Sequence, residues 1–317
     1  MSQPAAGQGL PYHLVLRAGR RGWWPPLVGV VCLVAGMLLV IPLLFQIPLI
    51  TWIGLTGDDV LGDLRRTLDL EHPTPLGLAY LNLVLAGAIP LTWLIVRTVH
   101  GLKPRWLASV MPRLRWRFLL VCLGLAVLSL LATLAVSAVL PAQDAGTELS
   151  GEPNDFTRTT RDFLLVVLFL TPLQAAGEEY AFRGYLAQAF GGLFRSRVAA
   201  VVVPSVLFAL AHGAQSAPIF IDRFAFGLVA GTLVILTGGL EAGIAMHVLN
   251  NWLAFGLALA YGDMASSLNP TGGSWWSLPV TLTQSLSYLA LALWTARRMG
   301  LRTTTDGGVL EAPRGRV

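Results

Sequence analysis

The residues best suited to chemistry in this 317-residue chain are a few polar side chains inside long apolar stretches. The first group is the segment GEEYAFR at residues 177–183, where Glu179 and Arg183 are spaced i, i+4 and can pair on one helical face. Adjacent residues on a helix point about 100° apart, so Glu178 faces another direction and has no cation one turn away. A carboxylate without such a partner can accept a proton, and Glu178 is therefore our candidate for a general base.

Two histidines lie in the apolar stretches that follow. Phe208 and His212 are four residues apart, so the phenyl ring can pack over the imidazole. His247 and Asn251 have the same spacing and project from one helical face. Taken singly, each pair is explained better by packing or by hydrogen bonds between helices than by catalysis.

These polar residues are predicted to meet when the chain folds into helical hairpins. With a turn at residues 195–197, Glu178 lies about 18 residues before the turn and His212 about 16 residues after it, so both reach a similar depth. The span that carries His247 and Asn251 runs in the same direction as the span that carries His212. We therefore expect one carboxylate, two imidazoles and one carboxamide to line a single polar pocket inside the bilayer.

The composition indicates that this pocket belongs to an integral membrane protein. The chain is 55% hydrophobic and only 12% charged, whereas soluble domains carry about 25% charged residues. We predict an all-α polytopic membrane protein, with about eight transmembrane helices of roughly 20 apolar residues around a polar intramembrane cavity. The predicted spans are about 27–55, 76–97, 118–140, 163–190, 198–217, 219–237, 240–261 and 277–296.

Charged residues are distributed between the loops in a way that predicts orientation. The loops after the first and third spans are acidic and the loop at residues 101–117 is basic, so we predict that both termini and the basic loops are cytoplasmic. The net charge of +5 comes from cations beside apolar runs, which argues against a nucleic-acid partner. The mixture of Trp, Leu and cations in 101–117 predicts an interfacial helix, although a plain basic loop fits nearly as well.

The chain is expected to form one transmembrane domain at residues 27–298, with its motifs concentrated at about 160–262. Residues 1–26 and 299–317 are predicted to be short, mobile cytoplasmic tails. The two cysteines lie in apolar runs and indicate neither a metal site nor a disulfide.

Three motifs, EExxxR, FxxxH and HxxxN, occur here in order and on predicted spans. In this the chain resembles the CPBP family of CAAX proteases and bacteriocin-processing proteins, also called the Abi family. The resemblance implies an eight-helix membrane fold with a polar cavity, and an intramembrane endopeptidase of the CAAX-protease type. Eukaryotic members remove the last three residues of prenylated CAAX proteins, and bacterial members are linked to peptide maturation and bacteriocin immunity. We expect a bacterial plasma membrane protein whose substrate is a membrane-associated peptide or protein, lipidated or not.

The residue types suit peptide hydrolysis. Glu178 can take a proton from water, and His212 can orient that water. His247 and Asn251 can donate hydrogen bonds to the negative oxygen that develops in the transition state. The supporting residues of the same motifs are Glu179, Arg183 and Phe208.

A metal is an open alternative at this stage. Glu178, His212 and His247 would make a three-ligand Zn²⁺ site with one position open. A glutamate that binds zinc is less available as a base, however, and the family has been described both as metalloproteases and as metal-free glutamate proteases. We favour the metal-free mechanism.

Two other classes of function compete with the protease. One is a non-catalytic immunity or scaffold protein of the same fold, which would bind a peptide or partner without needing a base. The other is a proton-coupled transporter, which the lack of an inverted repeat between the halves disfavours. Other intramembrane proteases are disfavoured because the chain has no HExxH, GxSG or GxGD motif.

Overall fold

The computed structural model describes residues 9–140, 152–213, 216–270 and 272–306. These residues form helices and no strand, with two isolated β-bridges between loops. Short 3-10 helices lie at Tyr12–Ala18 and Pro104–Leu107. In chain order the longer helices are α1 (Trp24–Thr56), α2 (Val60–Leu68), α3 (Pro75–His100), α4 (Trp116–Ser137), α5 (Arg158–Phe194), α6 (Arg197–Ala211), α7 (Ala217–Thr237), α8 (Glu241–Tyr261), α9 (Met264–Leu268) and α10 (Ser277–Arg298).

The all-α polytopic membrane fold is confirmed. Each predicted span overlaps one helix, and six helices of the described chain, α1, α3, α4, α5, α7 and α8, are long and apolar enough to cross a membrane. Helix α6 is apolar but has only 15 residues, and α10 does not belong to the six. The count of eight spans therefore stays a prediction.

The outer helices present apolar side chains to their surroundings. On α1, the exposed residues include Leu38, Leu43, Ile47 and Leu55. Such a surface is unfavourable in water but matches lipid chains, which are as apolar as leucine. The helix thus faces the bilayer with most of its circumference.

Helix α5 is long and interrupted. Its first part, Arg158–Phe169, ends just before Pro172, which has no N–H to continue the helical hydrogen bonds. Thr171–Glu179 follows, and the helix then widens into a π-helical turn at Tyr180–Leu186. Wide turns of this kind occur frequently at functional sites. This one begins directly after the two glutamates of the EExxxR motif.

Helix α8 forms the centre of the bundle. It packs against α4, α5 and α7, and every residue from 241 to 249 is buried. Gly243 allows the close approach of α5, because a Cβ atom at this position would lie 2.6 Å from Oε2 of Glu179. The most tightly enclosed part of α8 therefore faces the motif of α5.

The prediction of mobile tails is wrong for the parts that the structure describes. Tyr12 is fully buried and donates a hydrogen bond from its hydroxyl to the carbonyl oxygen of Leu107. Pro11 and Thr304 form an antiparallel bridge that holds the two ends of the described chain together. The polar composition of the tails predicts mobility, whereas their apolar side chains pack into the protein interior. Residues 1–8 and 307–317 of these predicted tails lie outside the described ranges.

The prediction of an interfacial helix at 101–117 is also wrong. Before α4 begins at Trp116, only the single turn Pro104–Leu107 is helical there. Trp106 and Leu107, which we expected on the bilayer surface, are 2% and 0% exposed. Proline residues at 104 and 112 limit helix formation, and the apolar side chains find space in the protein interior instead.

A buried ion pair closes one end of the bundle. Nη2 of Arg115, just before α4, lies 2.6 Å from Oε2 of Glu241, the first residue of α8, and the side chains are 6% and 0% exposed. The Arg115 guanidinium also donates from Nη1 to the carbonyl oxygen of Thr237 at 2.9 Å. Ser109 and Gly239 form a β-bridge beside this pair. The basic loop, the α7–α8 turn and the two terminal segments thus share one face of the protein.

Candidate active site

Glu179 is the buried centre of the candidate site. Its Oε1 accepts hydrogen bonds from Nη1 of Arg183 at 2.9 Å and from Nδ1 of His247 at 3.0 Å. The side chains of Glu179 and Arg183 are 0% and 1% exposed. The cation one turn away offsets the charge of the carboxylate where water is excluded. Glu179 therefore fixes the orientation of the His247 ring.

Glu178 lies on the other side of the same imidazole. Its Oε2 is 3.4 Å from Nε2 of His247, and its side chain is 13% exposed, compared with 5% for His247. Because Nδ1 of His247 donates to Glu179, Nε2 is the nitrogen that faces Glu178. Of the two adjacent glutamates, Glu178 is thus the accessible one.

His212 reaches the cluster from the end of α6. Its Nδ1 donates to the carbonyl oxygen of Phe208 at 2.7 Å, which leaves Nε2 as the acceptor nitrogen. The Phe208 ring lies 4.6 Å from the His212 ring and 5.9 Å from the His247 ring, centroid to centroid. The guanidinium carbon of Arg183 lies over the same phenyl ring, 4.2 Å from its centroid. The rings of His212 and His247 therefore pack on the same Phe208 ring.

Asn251 is held by a residue that the sequence motifs do not include. Its Nδ2 donates to Oε1 of Gln174 at 2.9 Å, and Gln174 is 6% exposed. Gln174 precedes Glu178 by one helical turn, as His247 precedes Asn251. Two polar contacts one turn apart therefore join α5 to α8. Gln174 lies four residues before Glu178, and this spacing is the sequence signal from which it could have been identified.

Arg223 is a second polar residue that sequence reasoning missed. It lies seven residues into α7, beside Asp222. Its Nε is buried and has no hydrogen-bond partner within the described ranges. The same criterion that selected Glu178, an ionisable residue inside an apolar run, would have selected Arg223.

The described residues do not assemble a metal site. Among them, no three His, Cys, Asp or Glu side chains are arranged to hold one ion. His247 points Nδ1 at Glu179, and His212 points Nδ1 at a backbone carbonyl. A zinc site formed by Glu178, His212 and His247 therefore stays a prediction. The proposed hydrolysis uses only the protein's own groups.

Two cavities open away from this cluster. One, of about 350 Å³, is lined by residues that include Trp106, Arg113 and Arg302. The other, of about 310 Å³, is lined by residues that include Trp52 and Arg66. Neither is lined by a motif residue.

Comparison with known proteins agrees with the motifs. Residues 160–253 match the family described as type II CAAX prenyl endopeptidase, Rce1-like. The chain is also 27% identical over 244 residues to the uncharacterized protein YyaK of Bacillus subtilis (strain 168), an alignment that covers 72% of this chain and 80% of that protein. No solved structure matches the chain. The matched segment carries Glu178, His212, His247 and Asn251, so this part of the chain is similar to the Rce1-like type II CAAX prenyl endopeptidases, as the three motifs predict.

Proposed function

We propose that this protein is an intramembrane endopeptidase in which Glu178 activates a water molecule to hydrolyse a peptide bond. The observation that carries the proposal is the 3.4 Å contact between the accessible Glu178 carboxylate and His247, an imidazole already fixed by Glu179. An ion pair with a purely structural role would need only one carboxylate beside this imidazole. A second, more exposed acid on its other side supports a group that transfers protons.

The base step involves Glu178 and His212. Glu178 accepts the proton as the water oxygen attacks the carbonyl carbon of the substrate. His212, whose ring packs on the Phe208 ring together with that of His247, is proposed to orient the same water. The proton on Glu178 then passes to the nitrogen of the leaving amine when the C–N bond breaks.

The developing oxyanion is stabilised by groups of α8. In its protonated form His247 donates from both ring nitrogens, from Nδ1 to Glu179 and from Nε2 to the oxyanion. Asn251 donates the amide hydrogen that is not bonded to Gln174. Each such donor contributes roughly 10²–10³ to the rate in well-studied hydrolases.

The substrate is proposed to be a peptide or protein that reaches the site from the membrane. The cluster is formed by α5–α8, of which three are long enough to span a bilayer. A substrate chain must therefore enter between helices or carry a lipid or an apolar segment. The activity that the family description names, that of a CAAX prenyl endopeptidase, fits this access.

The test is hydrolysis by purified protein in liposomes that contain membrane-anchored peptides, with and without a lipid modification. We expect Glu178→Gln to lower the rate by about 10³-fold or more, because the variant keeps the shape of the side chain and loses the base. Glu71→Gln, in an exposed loop, is the matched control and should cleave like the unmodified protein. Undiminished cleavage by a folded Glu178→Gln variant would refute the proposal. A protein that binds these peptides but never cleaves them would be a non-catalytic binding protein instead.

A further inference from the structure

A basic cavity lies apart from the reacting cluster, between the loop before α4 and the segment after α10. Its volume is about 350 Å³, which lies in the range of small-ligand sites. Three arginines line it, Arg105 and Arg113 from the loop and Arg302 from the segment after α10. Asp306 is the single acid among the described residues of the lining, so cations are in excess there.

The cations of this cavity are not neutralised by the described part of the protein. Arg105 and Arg113 are exposed, and no ion pair joins either of them to an acid of the described residues. Arg302 contacts Asp306, but both side chains of this pair are more than half exposed, so the contact contributes little and leaves Arg302 able to meet another anion. Arg115 of the same loop pairs with an acid inside the protein instead. The loop thus uses one arginine for the fold and presents two others to a ligand.

The wall of the cavity is fixed to the helical bundle. Trp106 is buried, and its carbonyl oxygen accepts a hydrogen bond from Nε2 of Gln188 on α5 at 3.1 Å. The backbone N–H of Val110 donates to the carbonyl oxygen of Gly238, where α7 ends, at 2.8 Å. The backbone that carries the two loop arginines is therefore in place before a ligand arrives, which reduces the entropic cost of binding.

Exposed tryptophans at the neighbouring helix ends indicate the depth of the cavity in the membrane. Trp116 begins α4, three residues after Arg113, and is 64% exposed. Trp294 lies one turn before the end of the predicted span α10 and is 58% exposed, with the guanidinium carbon of Arg298 5.3 Å from its ring centroid. Tryptophan is enriched where lipid headgroups meet the acyl chains. The cavity therefore lies at the level of the headgroups.

An exposed apolar stripe leads from the cavity along α4. Trp116, Leu120, Val127 and Leu131 share one face of this helix by their spacing, and all four are exposed. Only three residues, each advancing about 3.6 Å or less, separate the start of this stripe from Arg113. A soluble phosphate ester has no group that covers such a stripe, whereas the acyl chains of a phospholipid with its headgroup in the cavity can pack along it.

We propose that this cavity binds the phosphate group of an anionic membrane phospholipid, with Arg105 and Arg113 as its main ligands and the acyl chains along α4. A guanidinium matches phosphate oxygens through two parallel N–H···O bonds. Basic pockets beside transmembrane helices bind lipid headgroups through the same chemistry. The site uses none of the residues of the proposed hydrolysis, so it stands or fails independently of that function.

Native mass spectrometry of the purified full-length protein measures the lipid that it retains. Protein in detergent is mixed with equal amounts of phosphatidylglycerol and phosphatidylcholine that have identical acyl chains. We expect phosphatidylglycerol to be bound about tenfold or more in preference to phosphatidylcholine. Arg105→Gln combined with Arg113→Gln should reduce this preference to about twofold or less. The matched control, Arg297→Gln combined with Arg298→Gln, removes the same charge from exposed residues at the end of α10 and should keep the preference, because neither residue lines the cavity.

Two results would overturn the proposal. Equal loss of the preference in both double variants would mean that the cations of this face attract anionic lipid without a specific site. Glycerol phosphate, which carries the phosphate without acyl chains, distinguishes a lipid from a soluble ester. A large molar excess of it should leave the bound phosphatidylglycerol in place, whereas displacement of the lipid would refute a phospholipid ligand and assign the cavity to a soluble phosphate ester. Thermal unfolding of both double variants, each expected to melt like the unmodified protein, ensures that folded proteins are compared.

Discussion

Adjacent glutamates have different environments in this site because a helix turns about 100° per residue. Glu179 points into the bundle, where Arg183 and His247 occupy one of its oxygens. Glu178 points towards the edge of the cluster and keeps 13% of its side chain exposed. One carboxylate therefore serves as a fixed acceptor, and the other is the one that we propose as the base.

Gln174 should orient the Asn251 carboxamide. We expect Gln174→Leu to lower kcat by roughly ten- to a hundredfold with little change in KM, because Asn251 would lose its acceptor and its remaining amide hydrogen would no longer be aimed. Steady-state kinetics on the liposome-bound protein measure both constants.

Gln188 gives the control for this prediction. It is fully buried on the same helix and donates to the Trp106 carbonyl, away from the cluster. Gln188→Leu should lower the thermal stability and leave the rate per folded molecule unchanged. Equal losses of kcat in both variants would show that Gln174 has only a structural role.

The motif residues were predictable from sequence because their spacing within a helix is fixed. The Glu179–Arg183 pair and the edge-to-face packing of Phe208 and His212 follow from i, i+4 geometry alone. The contacts between helices could not be predicted in this way, since residue spacing does not indicate which face of α5 packs against α8. Gln174 and Arg223 could have been suspected as polar residues in apolar runs, but their contacts needed the structure.

The distance between α5 and α8 is set by glycine. Because a Cβ at Gly243 would come within 2.6 Å of the Glu179 carboxylate, the two helices approach as closely as backbone and carboxylate allow. The π-helical turn Tyr180–Leu186 follows directly and changes the direction of the side chains after the glutamates. The spacing of elements, and not only the identity of the acids, therefore determines the geometry of the site.

A single methyl group should disturb this spacing. Gly243→Ala is expected to lower the cleavage rate roughly tenfold or more, because the added Cβ displaces Glu179 and with it the His247 ring. Gly256→Ala is the matched control on the same helix, since no atom lies within 4 Å of the Cβ it would add. That variant should be fully active and gain up to about 1 kcal/mol of stability from the better helix former. Full activity of Gly243→Ala would contradict the tight contact.

At the level of helices, apolar runs predicted the spans to within a few residues. The predicted span at about 198–217 is longer than the observed helix α6, because the helix ends just before His212. The segment 101–117 was misassigned because apolar and basic residues mix in the same way on a bilayer surface and at the edge of a protein core. Trp106 could be placed in the core only once its neighbours were known.

The protein as a whole is held together at one face by segments far apart in sequence. The N-terminal 3-10 helix packs against the end of α5 and against α7, and Thr304 joins Pro11 from the other end of the chain. Charge alternation between loops predicted that the two ends share a face, and the bridge agrees with it. Which side of the membrane this face occupies stays a prediction.

The stability of this face should depend on pH through His13. His13 is 4% exposed, and burial together with the nearby Arg197 cation lowers its pKa from the ordinary 6.5 to about 4. The folded protein therefore binds fewer protons than the unfolded chain between these values, so stability is full above about pH 6.5 and is lost as the pH falls towards 4. The loss attributable to His13 is up to about 3 kcal/mol.

Thermal unfolding in detergent at pH 7, 6, 5 and 4 measures this effect. His13→Gln should show a smaller decrease on acidification than the unmodified protein. His72 is the control with the opposite sign, because its contact with Asp69 raises its pKa and favours the folded state at low pH. His72→Gln should therefore not reduce the acid sensitivity. Identical pH profiles for His13→Gln and the unmodified protein would exclude His13 as the source.

Arg115 and Glu241 meet late in biosynthesis. Their positions differ by 126 in the chain, so a ribosome working at roughly 5–20 residues per second makes the acid roughly 6–25 s after the base. Through that interval the nascent chain carries an unmatched guanidinium at the entrance to α4. A chain truncated before α8 would lack Glu241 and would leave Arg115 without its acidic partner.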